Sequence, residues 1–182
     1  MSPRLITAAV LLLSSLLAAP ARGAADHSGP LDTLQEVGSG ELTWFGLEVY
    51  EARLHSATAE FQGLGATVPV ALEITYLRNI SSERLVETTA KEWRRLRAEL
   101  GLPGAERVQP WLDAVGEIWP DVTPGDRIIA RVEPGGPTFF YGNDGLLGVI
   151  DDPDFGPAFL GIWLHPESRD ASLRAALLGD AR

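Results

Sequence analysis

Cysteine is absent from the 182 residues of this chain. The chain therefore forms no disulfide and carries no lipid on an N-terminal cysteine, so an oxidising compartment would be tolerated without being exploited. The three histidines, His27, His55 and His165, are scattered, and none has a second histidine or a carboxylate at ligand spacing. We predict neither a metal site nor a cofactor.

Lysine is nearly absent as well. The 15 basic residues include a single lysine, Lys91, and 25 acidic residues outnumber them, which gives a formal net charge of −10. Such a surface repels phosphate backbones, so we expect no nucleic acid partner. The excess of arginine over lysine, together with abundant alanine, glycine and leucine, is typical of a GC-rich bacterial coding sequence.

A long apolar run occurs only at the N-terminus. Arg4 precedes the run Leu5–Ala19, and Ala19-Pro20-Ala21 fits an A-x-A cleavage site. The run is shorter than the roughly 20 apolar residues that a membrane-spanning helix needs. We predict a cleaved signal peptide over residues 1–21, hence a periplasmic or secreted protein without a transmembrane anchor in its mature form.

About 160 residues remain after this segment, which is the size of one ordinary domain. Residues 22–39 are small, polar and interrupted by glycine and proline, and we predict a flexible lead-in there. The domain is expected over residues 40–182. It would open with one long strand over residues 41–54 and continue with a second strand over residues 68–76.

Helical periodicity follows these strands. Ser81 or Ser82 is expected to cap a helix that runs to Gly101, and a second helix is expected over residues 108–118. Near the C-terminus, Asp152-Pro153 is predicted to be the cap and first position of a third helix. A short fourth helix would contain Leu173, Ala176 and Leu177.

Three more strands are predicted over residues 127–133, 137–141 and 146–150. Residues 142–145, Gly-Asn-Asp-Gly, indicate a hairpin turn, because glycine and asparagine adopt positive φ at little cost. Arg127 and Arg131 share one strand face and are expected to form ion pairs across the sheet in preference to binding an anionic ligand. Strands grouped apart from helices predict an α+β fold with helices on one face of an antiparallel sheet.

Three segments span most of the chain beyond the signal peptide: GELTWFGLEVY at 40–50, LEITYLR at 72–78, and residues 155–179, which contain FLGIWL and end in LRAALLG. In these segments and in the order of its elements, the chain resembles the chalcone isomerase-like proteins, in particular their exported bacterial branch. The resemblance implies an open-faced β-sandwich, in which a long antiparallel sheet is backed by helices and a cleft lies between them. None of the segments is a catalytic signature.

The resemblance also bears on activity. Plant members of the family close a flavonoid ring, whereas related plant members bind fatty acids without catalysing a reaction. The plant enzymes use an arginine and a threonine ahead of a Val-Tyr pair; with that pair at Val49-Tyr50, these positions fall at about Thr33 and Phe45. Neither residue can do that chemistry, so the resemblance favours a non-catalytic domain over an isomerase.

The candidate ligand-binding residues are Tyr76, Arg78, Trp44 and Tyr50. Tyr76 and Arg78 are two residues apart at the end of an apolar strand face, where a phenol and a guanidinium would hold a carboxylate or enolate at the mouth of the cleft. Alternatively the strand ends there and Arg78 reaches solvent or an acid. Trp44 would offer a stacking surface, although core packing is the default for tryptophan.

Three functions remain open. The leading hypothesis is a non-catalytic domain that binds a small hydrophobic or amphipathic molecule with an anionic end, either fatty-acid-like or an aromatic acid. The second is an isomerase or lyase that acts on an unsaturated carbonyl substrate polarised by Tyr76 or another phenol. The third is an accessory protein of the cell envelope that docks a protein partner through an exposed surface.

Overall fold

The structure is a computed structural model that describes residues 29–180. The signal peptide over residues 1–21 lies outside the described residues and stays a prediction, as does the periplasmic or secreted location that depends on it. Across residues 29–180, no helix combines the length and the apolar character that crossing a bilayer requires.

Six strands form one antiparallel sheet in which each strand pairs with the next along the chain. They are β1 (Gln35–Trp44), β2 (Leu47–Ser56), β3 (Val70–Tyr76), β4 (Arg127–Val132), β5 (Thr138–Gly142) and β6 (Gly145–Ile150). The predicted turn at residues 142–145 is confirmed, since Gly142 pairs with Gly145 across the β5–β6 hairpin.

Four helices within residues 29–180 form a layer on one face of the sheet: α1 (Ser82–Arg95), α2 (Ala105–Ile118), α3 (Phe155–Leu164) and α4 (Ala171–Leu177). α4 packs on β1 and β2 at one edge, and α2 contacts β6 at the other edge. α1 contacts both α2 and α3, which joins the layer together. The predicted α+β fold, an antiparallel sheet backed by helices, is confirmed.

The single long strand predicted over residues 41–54 is wrong, because the chain reverses inside it. β1 and β2 are joined by the two-residue turn Phe45-Gly46, with φ of 49° and 74°. Positive φ at both positions matches the twist of a tight hairpin, and glycine or asparagine usually fills them. Phenylalanine in the first position costs about 1–2 kcal/mol relative to its preferred backbone geometry, so the sequence carried only half of the usual turn signal.

The flexible lead-in predicted over residues 22–39 requires correction over residues 35–39, since β1 begins at Gln35, while residues 22–28 lie outside the described residues. Gly38 and Gly40 suggested a loop, yet both pack against α4. A Cβ atom at Gly38 would collide with the carbonyl oxygen of Ala176, and one at Gly40 would lie 2.9 Å from the Ala176 Cβ. These glycines therefore let the strand and the last helix approach closely, a contact that is invisible in local sequence.

The predicted start of α1 is confirmed, whereas that of α3 is not. Ser81 caps α1, and its hydroxyl accepts a hydrogen bond from the Arg84 backbone N–H at 3.2 Å, as expected. α3, in contrast, begins at Phe155, after Asp154 rather than after Asp152. Asp152 has another role, because its carboxylate accepts from Trp111 Nε1 at 3.0 Å and thereby ties this loop to α2.

The core between sheet and helices is rich in aromatic rings. Trp93 and Trp111 lie edge-on to each other and to Phe155, with ring centroids 5.6–5.8 Å apart. Trp93 Nε1 also donates to the Ala158 carbonyl at 2.9 Å, which satisfies its buried N–H. Core packing is thus the role of these tryptophans, whereas Trp44 stands at the end of β1 with 54% of its surface exposed.

Candidate functional site

A large cleft lies on the helical side of the sheet, between α1 and strands β1 to β4. Its volume is about 1650 Å³, above the roughly 300–1,000 Å³ of ordinary small-ligand sites. The apolar side chains that line it include Leu42, Val49, Leu72, Ile74, Ile128, Ala130, Phe159, Ile162 and Leu173. The implied cleft between sheet and helices is therefore present.

The floor of the cleft follows from strand alternation and register. Leu72 pairs with Ala130, and Ile74 pairs with Ile128, so apolar side chains of β3 and β4 sit side by side on the helical face. Residues directly opposite in antiparallel strands have neighbouring Cβ atoms on the same face. The alternation that predicted β3 thus also produces a continuous apolar surface.

Two tyrosines close one part of this surface. Tyr50 and Tyr76 pair directly between β2 and β3, and their rings meet edge-on with centroids 6.3 Å apart. The Tyr50 hydroxyl accepts a hydrogen bond from Trp163 Nε1 at 2.8 Å. The Tyr76 hydroxyl has no hydrogen-bond partner among residues 29–180, although the residue is buried. Both tyrosines line the cleft, and so does Trp44.

Burial governs the protonation of both phenols. Desolvation raises the pKa of Tyr76 well above its ordinary value, and the neighbouring Tyr50 adds to the effect. Burial also raises the pKa of Tyr50, against the lowering effect of the hydrogen bond from Trp163. Both phenols are therefore neutral near pH 7 and can donate a hydrogen bond, but neither is available as a phenolate base.

Arg78 lies elsewhere. β3 ends at Tyr76, so the alternation does not continue to Arg78, which is exposed and absent from the lining of the cleft. Its Nε donates to the Glu48 backbone carbonyl at 2.8 Å, close to the β1–β2 turn. The expected pairing of Tyr76 and Arg78 at the mouth of the cleft is therefore wrong, and the alternative that the strand ends first is the observed one.

A buried carboxylate beside the phenols was not anticipated. Glu92 of α1 accepts from Arg95 Nε and from Arg169 Nε, both at 2.8 Å. Glu92 and Arg169 line the cleft, and so do the exposed cations Lys91 and Arg94. The available signal was the position of Glu92 directly before Trp93 on the buried face of α1, where an acid needs a partner.

The opposite face of the sheet carries charges and no part of the cleft. Glu73 bonds His55 Nε2 at 2.9 Å and Arg127 at 3.1 Å, while Arg131 pairs with Glu133 at 2.7 Å. The hydrogen bond to His55, followed by the one to Arg127, holds the pKa of Glu73 below its usual value despite burial. The ion pair predicted across the sheet is thereby confirmed for Arg127, whereas Arg131 pairs with Glu133 of its own segment and not with an acid of a neighbouring strand.

The single open sheet, the helices on one of its faces and the cleft between them define an α+β protein of the open-faced β-sandwich type. Residues 32–179 match the chalcone isomerase-like family, and the chain belongs to that family.

An uncharacterised protein of Haemophilus influenzae is 31% identical over 157 residues, which cover 85% of this chain and 73% of the relative. Among solved structures, an Arabidopsis thaliana fatty-acid binding protein is similar with a TM-score of 0.65 and 11% identity, over 82% of this chain and 89% of that one. At this identity the likeness shows the shared fold.

Proposed function

We propose that this domain binds a small hydrophobic or amphipathic molecule in the cleft and does not convert it chemically. The cleft itself carries the proposal, because about 1650 Å³ of space faces apolar side chains and a neutral phenol. A site of this kind binds an apolar body and orients it through a few polar groups. The likeness to a fatty-acid binding protein supports a fatty-acid-like ligand.

The polar end of the ligand meets Tyr76 in this proposal. The Tyr76 hydroxyl is neutral, has no protein partner among residues 29–180 and is not one of the fully buried unpaired atoms, so it opens onto the cleft and can donate to a ligand oxygen in place of water. Lys91 and Arg94 line the same cleft and would attract an anionic end such as a carboxylate, against the opposing charge of the acids that line it as well, Glu83, Glu87, Asp113 and Asp170. In this proposal Lys91 and Arg94, and not Arg78, attract the anionic end of the ligand.

The positions that correspond to the plant catalytic residues argue against an isomerase. Phe45 is 89% exposed in the β1–β2 turn. The Thr33 hydroxyl accepts from Arg131, whose side chain lies on the far face of the sheet. Neither position can contribute to chemistry inside the cleft.

Native mass spectrometry and lipid extraction of the purified protein test the proposal. We expect a copurified amphipathic molecule, or binding of an added long-chain fatty acid at least about tenfold tighter than the alkane of equal length. Ala130→Phe should fill part of the cleft with a larger side chain and thereby weaken binding. The matched variant Leu147→Phe, on the β5–β6 hairpin outside the cleft, should leave binding unchanged.

Circular dichroism of both variants controls for folding. An empty protein that binds neither fatty acids nor aromatic acids at high concentration would sink the proposal. Turnover of an unsaturated ketone by the purified protein would overturn its non-catalytic half and restore the isomerase alternative.

A further inference from the structure

The tip of the β1–β2 hairpin is an exposed apolar cap, formed by Trp44, Phe45 and Leu47, which are 54%, 89% and 52% exposed. The rings of Trp44 and Phe45 contact each other edge-on with centroids 5.2 Å apart. No charged side chain occurs from Leu42 to Leu47. The cap therefore presents a continuous uncharged surface to its surroundings.

The fold gains nothing from Phe45. Among residues 29–180 it is the non-glycine residue with positive φ, at 49°, and its side chain contacts the Trp44 ring, which is itself exposed. Asparagine or glycine would form the same turn with less strain. A strained backbone position that exposes a large apolar side chain, without a folding benefit, points to a surface contact.

The cap also adjoins the cleft. Leu42, Thr43 and Trp44 line the cleft, and the turn follows Trp44 directly. Next to the tip, Arg78 donates Nε to the Glu48 carbonyl, and its exposed guanidinium keeps further N–H donors. The exposed Glu48 carboxylate shares this position with the Arg78 guanidinium, so a contact with a lipid leaflet rests on the apolar tip and not on a charge.

We infer that the hairpin tip inserts into the surface of a phospholipid bilayer. A convex two-residue turn is too small for a stable protein interface, which buries about 800 Å² per partner, whereas tryptophan and phenylalanine are suited to the membrane interface even in small numbers. The net charge of −10 gives no attraction to anionic lipids, so insertion is apolar and a zwitterionic bilayer suffices.

The contact does not depend on the proposed ligand. Its use as an entry point does rest on the proposed function, because an amphipathic molecule leaving the bilayer at the tip would reach the cleft beside Trp44. A protein whose tip inserts but which binds no fatty acid in solution would refute the binding proposal and leave the membrane contact standing.

Quenching by brominated phosphatidylcholine vesicles measures the contact locally. We expect quenching of tryptophan fluorescence that disappears in Trp44→Phe, since the other tryptophans are buried or half-buried. Phe45→Asn should weaken partition onto the vesicles about tenfold, while its thermal midpoint stays unchanged or rises because asparagine suits the turn. A purely structural role for Phe45 predicts the opposite on both counts.

Leu146→Asn is the matched control, because Leu146 is 56% exposed at the β5–β6 hairpin and lies away from the cleft. Its partition should equal that of the unaltered protein. Equal partition of Phe45→Asn and the unaltered protein would overturn the inference. So would an equal loss in Leu146→Asn, binding confined to anionic vesicles, or a dimer in gel filtration that Phe45→Asn converts to a monomer.

Discussion

The two tyrosines of the cleft differ in one testable respect. The Tyr50 hydroxyl accepts from Trp163 Nε1 at 2.8 Å, whereas the Tyr76 hydroxyl has no partner among residues 29–180. Tyr50→Phe leaves the indole N–H of a half-buried tryptophan without its acceptor, which should lower the free energy of unfolding by about 1–2 kcal/mol. Tyr76→Phe removes an unpaired polar group, so the free energy of unfolding should stay within about 0.5 kcal/mol or rise.

Ligand binding should separate the same two residues in the other direction. A hydrogen bond to a charged oxygen contributes about 1.5–3 kcal/mol, so Tyr76→Phe should raise the Kd of a long-chain fatty acid about 10- to 100-fold. The methyl ester, which is uncharged, should lose less. Tyr141→Phe, on the far face of the sheet, should change neither stability nor affinity.

Urea unfolding followed by tryptophan fluorescence gives the stabilities, and isothermal titration calorimetry gives the affinities. An equal loss of stability in Tyr76→Phe and Tyr50→Phe would show that the Tyr76 hydroxyl is already satisfied in the free protein. Unchanged affinity in a stable Tyr76→Phe would refute its role at the polar end of the ligand.

The remaining predictions concern pH and packing. Because the pKa of Glu73 is lowered, its stabilising contribution is present above pH 4.5 and is lost as the pH falls below that value. Glu73→Gln should therefore reduce the loss of stability at acidic pH, measured by urea unfolding. The raised pKa of the cleft tyrosines means that stability is lost as the pH rises above 10.0, and Tyr76→Phe should reduce that loss in circular dichroism. Gly38→Ala should displace α4 and lower the free energy of unfolding by more than about 2 kcal/mol, whereas Gly65→Ala, which meets nothing within 4 Å, should not.

Regular periodicity predicted the parts of the fold that depend on one segment alone. The alternation from Val68 to Tyr76 gave β3, and the serine cap followed by helical spacing gave α1. Each of these signals reports which face of a segment is buried. The same face then became the floor of the cleft, so the apolar half of the site followed from sequence.

The polar half of the site depended on where strands end. In the sequence, Arg78 continues the alternation of β3. In the structure, β3 ends at Tyr76, and Arg78 donates to the Glu48 carbonyl instead. The reversal at Phe45 was hidden for a related reason, since phenylalanine rarely adopts positive φ. Both errors arise because strand ends are decided by pairing with other strands, which a single segment does not reveal.

In the proposed function, the Tyr76 phenol would also set what the cleft selects. A ligand without an acceptor would strip water from the Tyr76 hydroxyl and offer nothing in return, at a cost of about 1–3 kcal/mol. A ligand with an oxygen at that point would incur no such penalty, so the cleft would bind a pure hydrocarbon more weakly because the hydrocarbon leaves the hydroxyl unpaired. Because the pKa of Tyr76 is raised, the group remains a donor across the neutral range and does not become a base. The feature that would select an amphipathic molecule is therefore a neutral hydrogen-bond donor at the wall of an apolar cleft.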